Sequence, residues 1–364
     1  RYRWGAVTFD HFPLNQLRLD QLMTFAEGDP VDIGALQSFQ TDLQRTEYFG
    51  SALVQPLSPD RDARTIPVHV ALEPGKRHHF RAGVGYSTDT QARISLSWRT
   101  PLVNAKGHRQ NTLLEYSPVR PRFNVTYGIP LSHPLDDTLA LSGRLETNEY
   151  GSLDSFQREV AVRREFLLGD WVTAAGVRQL WEDWDVGPDN RDNNYLLPGM
   201  SFAHTQASGN PVDPEAGFSQ WYIAEFGADQ AGSDLTLLRL YANWKAVYKL
   251  SEKHRLVGRA ELGAVAFSDD QRPDLAPSLS FFAGGSRSIR GYAYQSLGPT
   301  EIVDIPGVGE KKFVVGGDRL TVVSAEYQYY IWPEFRAALF VDAGNAYNWG
   351  DFDPVTGAGI GLHY

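Results

Sequence analysis

From Lys76 onward the chain is a succession of segments of about ten residues in which apolar and polar side chains alternate, separated by turn-rich stretches. The clearest is Leu238–Lys249. There Leu238, Leu240, Ala242, Trp244, Ala246 and Tyr248 alternate with Arg239, Tyr241, Asn243, Lys245, Val247 and Lys249. Leu139, Leu141, Gly143 and Leu145 alternate in the same way with Ala140, Ser142, Arg144 and Glu146. Successive side chains on a strand point to opposite faces, so each segment has one apolar and one polar face. This part of the chain is therefore committed to sheet, and what covers the apolar faces decides its class.

A soluble sandwich and a membrane barrel both fit alternation. Three features favour the barrel. The strands are many and long, aromatics stand at their ends (Trp98, Tyr116, Trp171, Trp244, Tyr248, Trp332), and the connections alternate between short and long. No run of eighteen apolar residues exists, which excludes a transmembrane helix but not a barrel. About fourteen antiparallel strands are expected, near 79–87, 92–100, 108–117, 122–130, 138–148, 155–167, 171–182, 195–205, 218–227, 234–249, 255–267, 314–331, 335–347 and 356–364. Short links such as Leu168–Trp171 and Trp332–Glu334 belong to one rim, and long ones such as Glu182–Asn194 to the other. The N-terminal part enters at the short-turn rim, so segment 268–313 starts from the outer rim and is the longest connection.

Residues 1–75 differ in character. Arg3–Phe9 reads as a strand and Leu14–Met23 as a short helix. A stronger helix follows, with Ile33, Leu36, Phe39 and Leu43 on one face, and then strands at Gly50–Leu57 and Thr65–Leu72. The expected organisation is a small α+β domain over 1–75, bounded by Glu73-Pro74-Gly75, and a transmembrane barrel over 76–364. A net charge of −10 argues against nucleic acid as a partner. The absence of cysteine removes disulfides and thiolate metal sites. Arg1 opens almost directly on a strand-like run without a signal segment, as a processed or trimmed product would, so the missing signal does not imply a cytoplasmic protein.

The long segment 268–313 contains Phe281–Tyr292, FFAGGSRSIRGY, with Arg290 inside it. In the next strand Val323, Ala325, Tyr327, Tyr329 and Ile331 form the apolar face, so Ser324, Glu326 and Gln328 point into the lumen. In the strand after that Ala337, Leu339, Val341 and Ala343 face lipid, so Arg336, Asp342 and Gly344 point inward. An arginine satisfies a carboxylate with two parallel bonds, and such a pair in a confined lumen would fix the loop. Alternatively Arg290 is a solvated loop residue and the two acids merely line a wet barrel.

The string GGSRSIRGY, with Ile289-Arg290-Gly291-Tyr292, resembles the sixth-loop motif of the outer-membrane assembly superfamily that includes BamA, TamA and the two-partner-secretion transporters. Phe340-Val341-Asp342-Ala343-Gly344 is similar to its F-x-D-x-G strand motif, and Ala325-Glu326-Tyr327 to the acidic partner in the preceding strand. The resemblance implies that Arg290 bonds both Glu326 and Asp342 inside the barrel, with Ile289, Gly291 and Tyr292 shaping the loop and Phe340 and Gly344 completing the strand motif. RYRWGAVTF, FAEGDPVD, RTEYFGSALV and GVGYSTDTQARISLSWRTPLVNAKGH most resemble the TamA branch, at its last POTRA domain and first strands. That branch implies three POTRA domains and sixteen strands. One domain and about fourteen strands are visible, and both gaps fall at the chain ends.

In the first strand Gly83 and Gly85 lie on the inward face, and in the fourteenth Gly357, Gly359 and Gly361 do. Glycine weakens strand pairing and permits bending, so these positions mark either ordinary curvature or a lateral seam. The expected function is a non-enzymatic insertase of the outer membrane without cofactor. Its POTRA domain would lie in the periplasm, and it would aid insertion of autotransporters and other β-barrel clients. Outer-membrane lipid and unfolded clients are the expected partners, and the resemblance adds a TamB-like inner-membrane protein. BamA-type and two-partner-secretion roles are the nearest alternatives; a passive channel is the alternative from another class. The histidines His78, His79, His108, His133, His204, His254 and His363 show no cluster of the kind a surface hydrolase barrel needs. The aspartates of Trp181–Asn194 lack an EF-hand's terminal glutamate and read as a solvated loop.

Overall fold

The computed structural model describes all residues except 90, 211, 212, 268–271, 273 and 364. The first residues of the expected long loop and the last of the expected fourteenth strand, Tyr364, thus lie outside the described residues. The N-terminal unit runs β1 (Arg3–Phe9), α1 (Gln16–Leu22), α2 (Ile33–Arg45), β2 (Phe49–Pro56) and β3 (Thr65–Pro74). Asn15 caps α1 by accepting from the Leu17 amide, and Asp32 caps α2 by accepting from Gly34 at 2.8 Å. The sheet order is β1-β3-β2, with β1 parallel to β3 and β2 antiparallel to it. A parallel pair cannot be closed by a tight turn, and α1 and α2 supply part of the crossover.

The helices bury Leu19, Leu22, Leu36, Phe39 and Leu43 against Trp4, Val68, Val70 and Leu72. Phe39 lies edge-on to both Phe9 and Phe25. Ile33 does not join this face as the spacing predicts; it is 55% exposed. It is the first helical residue beside the Asp32 cap, one turn short of the place where the helix meets the sheet.

Among the described residues, the rest of the chain forms one antiparallel wall of fourteen strands, with a long connection between the eleventh and the twelfth. They are β4 (His79–Ser87), β5 (Gln91–Thr100), β6 (Arg109–Tyr116), β7 (Arg122–Pro130), β8 (Asp137–Tyr150), β9 (Leu153–Leu168), β10 (Trp171–Val186), β11 (Asp189–Gly209), β12 (Pro214–Gly227), β13 (Leu237–Ser251), β14 (His254–Ala266), β17 (Arg319–Trp332), β18 (Phe335–Tyr347) and β19 (Val355–His363). Each pairs with its neighbour in sequence, and β14 pairs directly with β17. Between these two, β15 (Thr300–Ile305) and β16 (Gly309–Val314) form a separate hairpin within the long connection. The twelfth wall strand therefore starts at Arg319, later than the expected 314, because Val314 pairs with Thr300 in this hairpin.

Burial is inverted relative to a soluble protein. Val84, Leu240, Leu262, Val323, Leu339 and Ile360 are exposed, whereas Glu146, Gln157, Glu182, Ser324 and Asp342 are buried. An apolar outer face and a polar interior are what a lipid-spanning barrel requires. No helix among the described residues is long and apolar enough to cross a membrane.

Glu182–Asn194 is not a loop. β10 and β11 pair through this stretch as far as Val186↔Asp189, turning at Gly187, whose φ is +65°. Polar composition suggested solvated coil, but the backbone ladder continues, and Trp184 and Val186 turn inward into a buried cluster with Leu275 and Phe313. At the other rim the N-terminal unit grips the wall. Arg18 donates to the carbonyls of Lys106 (3.1 Å), Pro130 (2.9 Å) and Leu131 (2.7 Å), and the Tyr48 hydroxyl donates to the carbonyl of Gly107 at 2.8 Å.

Candidate functional site

The connection between β14 and β17 folds into the barrel and is fastened from several sides. Asp274 accepts at its carbonyl from the Tyr195 hydroxyl (2.7 Å), which in turn accepts from the Ala276 amide (3.0 Å). Glu182 accepts from the Ser155 hydroxyl (2.6 Å), the Ser278 amide (3.2 Å) and the Ser278 hydroxyl. Leu275, Ala276, Leu279, Phe281, Ala283 and Ile289 are buried against wall residues including Leu180, Leu197, Leu237 and Val322. Gly263 leaves the space that the Phe281 ring occupies; a Cβ there would lie 2.5 Å from the ring. The loop thus has its own apolar core inside a polar lumen, which explains how it stays folded inward.

At the tip of this path stands Arg290. Its Nε and Nη2 reach the two carboxylate oxygens of Asp342, each at 2.8 Å, and its backbone amide donates to Oδ2 at 3.0 Å. Nη1 donates to Glu326, and Nη2 also reaches the Ser324 hydroxyl at 3.2 Å. The guanidinium lies over the Phe340 ring, 3.5 Å from its centroid. Ser324, Glu326 and Asp342 alternate onto the inner face because β17 and β18 are regular there, with Ser324 opposite Asp342 and Glu326 opposite Phe340. The Asp342 side chain is fully inaccessible and that of Glu326 is 9% exposed. Two desolvated carboxylates need compensating charge: the planar fork of Arg290 bonds both, and the Arg259 guanidinium, 3.7 Å from Asp342, supplies a second positive charge.

Further partners complete the site. Gln328 donates to Glu326 at 2.5 Å, and the His363 Nε2 lies 3.2 Å from the same carboxylate. Arg259 bonds the Ser324 hydroxyl (3.1 Å) and the Arg287 carbonyl (3.1 Å). Beyond them a run of alternating charge crosses the inner wall. Arg144 and Arg178 share Glu159, Arg178 and Arg239 share Glu225, and Arg239 donates to the loop carbonyl of Leu279.

The motif residues divide by role. Ile289 is fully buried, and Gly291 has a φ of +97°, which favours glycine. Tyr292 is 36% exposed and contributes its carbonyl, which accepts from Gly285 at 3.1 Å. Gly344 approaches the Thr321 carbonyl too closely for any side chain. Among the expected seam glycines, Gly357 makes room for the Arg290 carbonyl and Gly359 for the Phe340 ring, whereas a Cβ on Gly361 meets only Ala338 at 3.9 Å. Gly83 and Gly85 are different: their inward space holds only the side chains of Ser95 and Arg93. Sequence reasoning missed Glu182 and Tyr195 as loop anchors. Neither belongs to a motif, and only the parity of an uninterrupted β10–β11 pair would have turned them inward.

Comparison with known proteins agrees with this architecture. The Omp85 superfamily domain matches residues 70–364. The outer membrane protein assembly factor BamA of Nitratidesulfovibrio vulgaris is 25% identical over 367 residues, covering 94% of this chain and 44% of that protein. The chain thus spans less than half the length of this curated relative. The crystal structure of BamA from Haemophilus ducreyi lacking POTRA domains 1–3 superposes with a TM-score of 0.84 at 15% identity, covering all of this chain and 78% of the other. CdiB from Acinetobacter baumannii gives 0.62 at 13% identity, covering all of this chain and 68% of the other.

Proposed function

Because the chain belongs to the Omp85 superfamily, we propose that it is part of an outer-membrane assembly component that inserts β-barrel clients, autotransporters among them, through a lateral seam. The observation that carries the reading is Arg290 bridging Asp342 and Glu326 inside the barrel. In this reading the inward loop keeps the wall in register near the two ends of the sheet order, β4 and β19. Client strands add at the β4 edge, where backbone donors and acceptors offer a template. The work is mechanical. Apolar burial and strand pairing of the client supply the free energy, and no cofactor takes part.

The N-terminal unit acts as a periplasmic POTRA domain. Its edge strand β2 has no strand beyond it in the order β1-β3-β2, and an extended client joins it by β-augmentation once it displaces Gln40 and Gln44 of α2 from the Val54 amide and the Ala52 carbonyl. A TamB-like inner-membrane protein is the partner if the chain is of TamA type. The BamA-type reading draws on the curated relative and on the Haemophilus structure. Counting POTRA domains in the whole protein separates the two: five for BamA, three for TamA. A passive channel fits less well, since the loop and the charged wall occupy the lumen.

The test is complementation of a strain depleted of the native protein, scored by assembly of a folded, heat-modifiable client barrel. Arg290→Ala is expected to lower assembly about tenfold or more, a change corresponding to about 1.4 kcal/mol of coupling. Arg290→Lys should fail nearly as badly, because an ammonium cannot bond two carboxylates in a plane. Full assembly by both variants would refute the latch.

A further inference from the structure

The inward loop touches both ends of the wall. On the β4 side, the turn after β4 carries Asp89, whose Oδ2 accepts from the Ser286 amide at 3.2 Å and from the Ser286 hydroxyl at 2.5 Å. Ser286 is presented there by Gly284 and Gly285, with φ of +99° and +100°. Side chains at these two positions would press on Ala293 and Tyr294. Four residues further on, the Arg290 carbonyl fills the space that Gly357 leaves on β19, and the same residue is locked to Asp342 of the adjacent β18. Among the described residues β4 and β19 pair with no strand on their far sides.

We propose that Asp89 is a positioning residue for opening of the barrel wall: through Ser286 it ties the β4–β5 hairpin to the loop that is seated on β19, and this tie restrains the edges and releases before the wall can admit more than about two strands. The segment from Ser286 to Arg290 extends at most about 14 Å. That is roughly three interstrand spacings of 4.8 Å, so no more than about two strands fit between the edges while both contacts hold. Of the two contacts, Asp89–Ser286 is the one that yields. Ser286 is exposed, Asp89 is half-buried, and the bonds hold a single charge. The Arg290 contact joins opposite charges, with Asp342 out of reach of water.

This inference rests on reading the β4 edge as the site of client addition, but the tie itself is testable without a client. The 364 residues contain no cysteine. Tyr86→Cys on β4 and Ile360→Cys on β19, outward positions 80% and 83% exposed, can therefore take nitroxide labels in the full-length protein. Electron–electron distances are then measured in lipid vesicles. Asp89→Ala is expected to broaden the distribution and move its mean outward by about 5 Å, one strand spacing. Ser286→Ala should move it partway, and Asp89→Asn, which keeps an acceptor oxygen, should stay near the parent.

Protease protection of the loop reports whether the Arg290 latch is still seated. An unchanged distribution in both Asp89→Ala and Ser286→Ala overturns the proposal. Client insertion into the same vesicles separates the two ideas. A wider wall with unaltered insertion leaves the tie standing and sinks the assembly reading. Altered insertion with an unmoved wall sinks the tie.

Discussion

At the scale of single residues, the lumen is governed by the penalty for desolvating charge. An ion moved out of water loses several kcal/mol, and only close, well-aligned partners return it. Asp342 meets that condition with three bonds from Arg290 alone. A second acid works the same way at the opposite rim. Asp213, in the turn between β11 and β12, accepts from the Tyr330 hydroxyl at 2.7 Å and pairs with Arg336 at 2.9 Å and with Arg255. Burial pushes its carboxyl up, but the Tyr330 bond and the charges of Arg255, Arg336 and Lys249 outweigh this and hold it below the ordinary range. A carboxyl depressed in the folded state stabilises it above the unfolded pKa, and that contribution fades as pH falls through the folded value. Asp213→Asn should therefore lower the thermal midpoint at pH 7 by about 2–4 °C. The gap between parent and variant should begin to shrink below about pH 4 and narrow further as pH falls. Melting in detergent from pH 7 to pH 3 checks this, and a gap constant over the whole range would remove Asp213 from the account.

At the scale of elements, the strands were legible because a two-sided wall imposes a period of two on every segment. The Leu238–Lys249 alternation survives as β13, and parity alone placed Ser324, Glu326 and Asp342 on the inner face. What alternation cannot give is contact between segments far apart in sequence. Glu182 meets Ser278 across 96 residues and Asp89 meets Ser286 across 197. Nothing local in either partner announces it. The extended β10–β11 hairpin was hidden for a related reason. Its Asp- and Asn-rich composition reads as coil, while its ladder is made by backbone groups that carry no side-chain signature. The joint between the N-terminal unit and the wall was equally silent, since Arg18 bonds only carbonyls there. Arg18→Ala should free that unit without unfolding it. The expected result is faster protease cleavage within 75–78, by about tenfold, with an unchanged melting midpoint for the barrel. Unchanged cleavage would show that the joint holds without Arg18, through Tyr48 on Gly107, the Asn15 amide on Ala105 and the Glu47–Arg99 pair.

Across the whole molecule, the two ends of the wall carry glycine for different physical reasons. On β19, Gly357 and Gly359 are required by close approach of the Arg290 carbonyl and the Phe340 ring, so they belong to the latch. On β4, the nearest atom to a Cβ at Gly85 is the Arg93 guanidinium at 3.7 Å, so space does not demand glycine there. Glycine in a strand forfeits roughly 0.5–1 kcal/mol relative to a residue that restricts the unfolded chain. A β-branched residue adds pairing contacts besides. The edge that receives clients in our reading is thus weaker than its geometry requires, as expected of an edge that must exchange partners. Gly85→Val should raise the thermal midpoint of the barrel by about 2 °C and slow client insertion several-fold. Gly357→Ala should act in the opposite sense on stability, because its methyl group strikes the Arg290 carbonyl and unseats the loop. Melting curves and insertion rates on the two variants decide the matter. If Gly85→Val is also destabilising, space constrains both edges and the weak-edge account of β4 falls.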